Sequence, residues 1–157
     1  MITGAEDIAT LFCIFHDGEV TLRGQDRDTL TLDVAISYLA RRVAPGFSGF
    51  RVELSGARGL VFKTWPKDPL SPPALLTGVA RIFEAELDVL EASARGSVIE
   101  ILFNQPSPTR DHCGGELQLE VDSATVRDEA GREHSLEDLR ALATSYWTEW
   151  REKNRPG

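Results

Sequence analysis

Cysteine occurs twice, methionine once and lysine three times in the 157 residues. Two cysteines, Cys13 and Cys113, are too few for the disulfide framework of a small secreted domain, and a reducing compartment keeps such a pair as thiols. No apolar run is long enough to span a bilayer; the longest, residues 8–15, is already interrupted by Thr10. No Lys or Arg precedes Arg23, so the chain does not open as a signal peptide. Ile2 stands where N-myristoylation needs glycine. The expected location is the cytoplasm, with no membrane contact.

Chemical signatures are equally scarce. There is no GxxxxGK[ST] or GxGxxG phosphate loop, no HExxH, no CxxC and no GxSxG elbow; Gly46-Phe47-Ser48-Gly49 fails that last spacing because residue 50 is Phe. Asp26-Arg27-Asp28 starts like a calcium loop, but Leu30 stands where a third oxygen ligand is needed. No motif names a reaction, and the reading leans away from an enzyme. No cofactor is implied.

What the chain has in excess is acid. Asp and Glu number 25 against 17 Lys and Arg, giving a net charge of -8. Such a surface repels phosphate backbones and anionic bilayers, so nucleic acid is not an expected partner. A basic protein is. The basic residues are 14 Arg and 3 Lys, a bias that fits a GC-rich bacterial genome. Hydrophobic residues make up 41% and charged residues 27%, ordinary values for a folded chain. The length suits one domain over residues 1–157, with 153–157 as a frayed tail.

Alternating apolar and polar residues dominate the pattern. Leu30, Leu32, Val34 and Ile36 alternate with polar neighbours over residues 29–36, as they do in a strand with one buried face. Residues 19–23, 97–103, 116–122 and 124–128 read the same way. Residues 50–55 and 60–65 are expected to form a hairpin across Gly56-Ala57-Arg58-Gly59. Residues 3–12 suggest a short helix opened by a Thr3–Glu6 capping box and giving way to a strand near Leu11. Residues 37–43 suggest a brief helical turn, and Pro73 the start of a helix reaching Arg81. Residues 82–92 alternate well enough for a strand, and 104–115 read as a loop. Ser135 caps a last helix whose stripe is Leu136, Leu139, Leu142, Ala143, Tyr146, Trp147 and Trp150. The expected fold is mainly β, or α+β: an antiparallel sheet of about eight short strands, sandwich-like or partly closed as a barrel. The C-terminal amphipathic helix packs on it.

Two short clusters hold both cysteines and two of the three histidines: Cys13, His16 and Asp17, then Asp111, His112 and Cys113. A zinc site from Cys13, His16, His112 and Cys113 is disfavoured because neighbours in an extended segment point opposite ways, so no metal is expected. Cys13 reads as a small core hydrophobe. His16, Asp17, His112 and Cys113 are the candidates for thiol or general-base chemistry, which needs a base within hydrogen-bond reach of the thiol. Tyr146 and Trp150 are the candidates for binding, because Trp and Tyr concentrate at contact hot spots. The function best suited to these features is a small protein-interaction module. A ligand-binding barrel comes second and a Cys/His enzyme third.

Overall fold

The structure is a computed structural model that describes residues 1–156. The strands are β1 (Ile2–Thr3), β2 (Glu19–Asp26), β3 (Thr29–Ala35), β4 (Gly49–Ser55), β5 (Arg58–Pro66), β6 (Leu75–Leu76), β7 (Leu87–Arg95), β8 (Val98–Asn104), β9 (His112–Glu120), β10 (Ser123–Arg127) and β11 (Glu133–His134). The helices are α1 (Ala5–Ile14), α2 (Ser37–Ala40), α3 (Val79–Ile82) and α4 (Leu136–Lys153). The sheet is mainly antiparallel, as expected. Three of its eleven strands, β1, β6 and β11, have two residues each and lie outside the expected eight.

The strand order is β1-β10-β4-β3-β2-β7-β8-β9-β5-β6, with β11 against β10. β4 and β5 therefore do not form the expected hairpin. They are two halves of one bent strand, and β9 and β10 are two halves of another. These long strands run antiparallel: Arg51 faces Arg127 and Ser55 faces Ser123 before the bend, while Arg58 faces Glu120 and Pro66 faces His112 after it. The bend needs a left-handed residue, supplied by Gly56 at φ 71. Across it the Asp122 N–H donates to Ser55 O (2.9 Å), and Arg58 donates to Gly56 O (2.7 Å) and Asp122 Oδ1 (2.9 Å). Strands that pass through a bend from one layer to the next are a usual way to make the corner of a two-layer β structure.

Each half repeats one plan: a helix, a three-strand meander, then a strand that crosses to the other half. α1 precedes β2, β3, β4 and β5 as α3 precedes β7, β8, β9 and β10. Away from the corner the halves' strands pair where Glu19 faces Asp88 and Val20 faces Leu87, and α1 packs across on β7 and β8. The sheet is not closed into a barrel. Its apolar side chains form one core, with Phe12, Phe15, Phe62 and Phe103 almost wholly buried.

Helix α1 runs to Ile14 instead of yielding to a strand at Leu11. The reason is packing: Ile8, Leu11, Phe12 and Phe15 share one helical face and are all buried against β7 and β8 or their neighbours. Its N-cap is Gly4, with no side-chain cap, so the Thr3–Glu6 box does not form. The β2–β3 hairpin turns at Arg27 (φ 55), with β2 paired as far as Asp26. Residues 73–81 do not make one helix; they hold β6 and the single turn α3. Residues 82–92 divide between the end of α3, a turn, and β7. His112 to Gly115 belong to strand β9, not to a loop.

Asp128 and His134 are buried (6% and 4% exposed) and locked together, His134 Nε2 to Asp128 Oδ2 at 2.8 Å. Burial works to raise the Asp128 pKa, but hydrogen bonds from His134 and from the N–H groups of Arg132 and Ala130 hold it below the usual value. This lock sets the turn that delivers Ser135 to the start of α4. There Ser135 and Asp138 complete a capping box. Only Leu139 of α4 is fully buried, while Leu136, Leu142 and Ala143 pack part-buried on the core. Tyr146 and Trp147 lie beyond the core, half-buried against α2, and Lys153 is still helical.

Candidate functional site

The two candidate clusters end up on different partners. Cys13 Sγ donates to Ala92 O (3.1 Å), and the thiol is exposed, not a core group. His16 Nδ1 lies 2.8 Å from Leu90 O; a carbonyl only accepts, so this nitrogen carries the proton. Its Nε2 is 3.5 Å from Asp17. Cys113 Sγ meets Trp65 O at 3.5 Å. His112 packs edge-on to Phe62, and its Nδ1 is buried with no hydrogen-bond partner. β8 separates the strand gripped by His16 from the strand bearing His112 and Cys113. No hydrogen bond pairs a thiol with an imidazole, and no group of three or more His, Cys, Asp or Glu has metal-site geometry among the described residues.

The structure does assemble an aromatic face. α2 carries Tyr38, whose hydroxyl donates to His16 O (2.7 Å). Burial, then Asp17 and Tyr146, push its pKa up to about 12. The Tyr38 ring lies 4.4 Å from Tyr146 and 6.0 Å from Trp147. Trp147 in turn touches Tyr146 (5.1 Å) and Trp150 (5.9 Å). Arg42 stacks 5.6 Å over Tyr146 and pairs with Glu149, fixing the helix on α2. The chain of rings ends at Trp150, which is 48% exposed.

Beside this face lies the acidic seam. Asp17 reaches both Tyr38 and Asp88 electrostatically, and Glu19 stands directly opposite Asp88 with Glu86 close by. Like charges opposed on neighbouring strands are destabilising. Burial, then Glu86 and Asp88, raise the Glu19 pKa; burial, then Glu86 and Asp17, raise that of Asp88. No Lys or Arg pairs with any of the four among the described residues. A raised carboxyl pKa means the native state holds more protons than the unfolded chain just above the usual carboxylate range. Stability from these groups is therefore lost as pH rises through their native pKa values. Glu19→Gln should stabilise the fold at neutral pH, and the gain should shrink as the buffer is taken to about pH 4. Urea unfolding at both pH values reads this directly, and a variant less stable at neutral pH would refute it.

A groove of about 630 Å³ opens at the other end of the sheet, between residues 64–76, residues 81–85 and residues 110–112. Lys67, Arg81, Arg110 and His112 line it. Gln105, 2% exposed, holds one wall: its Oε1 accepts from Ser107 N (2.6 Å) and its Nε2 donates to His112 O (2.7 Å) and Ser107 O (3.2 Å). Of these residues the sequence singled out only His112. The cations are far apart in the chain; the β5–β9 pairing brings Lys67 near Arg110, and α3 adds Arg81. The concave surface lies outside the sheet, whose interior is filled by the core.

Compared with protein-family models, with curated proteins and with solved structures, the chain gives no match. No helix among the described residues is long and apolar enough to cross a membrane.

Proposed function

We propose that this protein is a non-catalytic interaction module that binds a protein partner through the aromatic face of α2 and α4, with Tyr146 and Trp150 as contact residues. The observation that carries this reading is the continuous stack Tyr38–Tyr146–Trp147–Trp150, anchored at one end and 48% exposed at Trp150. Rigid aromatic groups of this kind supply large contact area at low entropic cost. The unpaired carboxylates of the seam and the net charge of -8 favour a partner whose contact surface is basic. The same charge speaks against nucleic acid and anionic lipid. The two free, exposed thiols fit a reducing compartment, the cytoplasm.

A photo-crosslinking amino acid tests the face. Placed at position 150 in the native host, it should trap a discrete protein adduct. Placed at position 70, where Leu70 is 92% exposed but far from the aromatic stack in the fold, it should not trap that adduct. Equal trapping at both positions, or none at position 150, would refute the assignment.

A further inference from the structure

We infer that the groove between residues 64–76, residues 81–85 and residues 110–112 binds a small organic anion, a carboxylate or phosphate group carried on an apolar body. Its volume, about 630 Å³, lies within the range of small-molecule sites. Its lining holds three cations, Lys67, Arg81 and Arg110, and three carboxylates, Asp68, Glu84 and Asp111. Asp68 accepts from Leu70 N (2.9 Å) and Ser71 Oγ (3.4 Å), and Glu84 is paired with Arg110 (3.7 Å). Lys67 Nζ has only a carbonyl, Ser107 O at 3.0 Å, and the Arg81 guanidinium has no partner among the described residues. Lys67 and Arg81 thus have no ion-pair partner among the described residues, while both carboxylate oxygens of Asp68 are turned into its own loop. This occurs in a chain with eight more acids than bases.

The field at His112 has the same sign. Burial lowers its pKa first, and Arg110 and Lys67 lower it further, while Asp111 alone among the charges opposes them. His112 therefore sits neutral in the wall, its Nδ1 lacking a partner. Beside the charged groups the lining has apolar surface from Pro66, Pro72, Ala74, Leu76 and Ala85. That division suits a ligand with a charged head and an apolar body better than a bare inorganic ion. The Gln105 clamp holds the 105–111 wall in place before any ligand arrives, which lowers the ordering cost of binding.

Amide chemical shifts of the intact protein test the site with four probes: phenyl phosphate, benzoate, inorganic phosphate and benzyl alcohol. Phenyl phosphate or benzoate should cause saturable shifts at residues 67, 81, 110 and 112 at concentrations up to about 10 mM. Saturation by phenyl phosphate alone assigns a phosphate head, and by benzoate alone a carboxylate head. Inorganic phosphate and benzyl alcohol should each bind roughly tenfold more weakly, lacking the body or the charge. Arg81→Gln removes no bond that the fold uses, and should weaken the organic anion roughly tenfold with the rest of the spectrum unchanged. Absence of saturable shifts with either organic anion would overturn the proposal. So would equal binding of inorganic phosphate, which indicates an adventitious ion only, or an unchanged affinity in Arg81→Gln.

Discussion

Gly114→Ala should cost about 3–5 kcal/mol, a large share of the stability of a domain this size. Gly114 lies inside β9 at φ 152, a conformation that side chains rarely adopt. A Cβ there would lie 2.2 Å from the Phe103 carbonyl oxygen and 2.9 Å from the Trp65 ring. The first obstacle is backbone of the neighbouring strand β8 and cannot rotate away. Relief requires β9 to separate from β8, and β9 is also the strand that β5 pairs with. Gly115 is crowded in the same way, with Lys63 O at 2.5 Å and the Phe62 ring at 2.6 Å from its Cβ position. Gly46→Ala is the control, since its Cβ would meet nothing within 4 Å. It should change stability by no more than about 0.5 kcal/mol. Urea unfolding of the two variants decides the point: equal stabilities would mean that β9 does not pass beneath these rings.

Leu139→Ala comes next, at about 2–5 kcal/mol. Leu139 is the one fully buried side chain of α4, and its loss leaves a cavity where the helix meets the core. Trp150→Ala, on the same stripe, should change stability by no more than about 0.5 kcal/mol because its ring is half in solvent. The contrast separates the part of α4 that holds the fold from the part proposed to contact a partner. A Trp150→Ala variant as damaged as Leu139→Ala would place Trp150 in the core and remove it as a contact residue.

Strand positions were legible in the sequence because each half-buried strand alternates. In β3 the buried residues are Leu30, Leu32 and Val34, in β4 Phe50, Val52 and Leu54, and in β8 Ile99, Ile101 and Phe103. Pairing was not legible where the chain bends. A tight hairpin and a strand passing through a corner both ask for positive φ, and Gly56 (φ 71) and Gly59 (φ 66) satisfy either. Only the distant partner, β9 with β10, decides between them. Gly114-Gly115 was misread for a related reason. Glycine marks a turn in most contexts, but here it marks a strand crossed closely by aromatic rings and by backbone. The aromatic stripe of α4 was visible at helical spacing, whereas its anchors Tyr38 and Arg42 come from a four-residue helix and the turn that follows it, a hundred residues away. The cations of the groove carry no local pattern at all.

The most direct test of the binding face is the affinity of the partner trapped at position 150, measured with purified proteins for the wild type and for Trp150→Ala. The structure of the face predicts a loss of about 2 kcal/mol, roughly thirtyfold in Kd, with folding stability unchanged. It also predicts an association rate that falls as salt rises, because carboxylates flank the rings. An affinity unchanged by Trp150→Ala would contradict the assignment of this face.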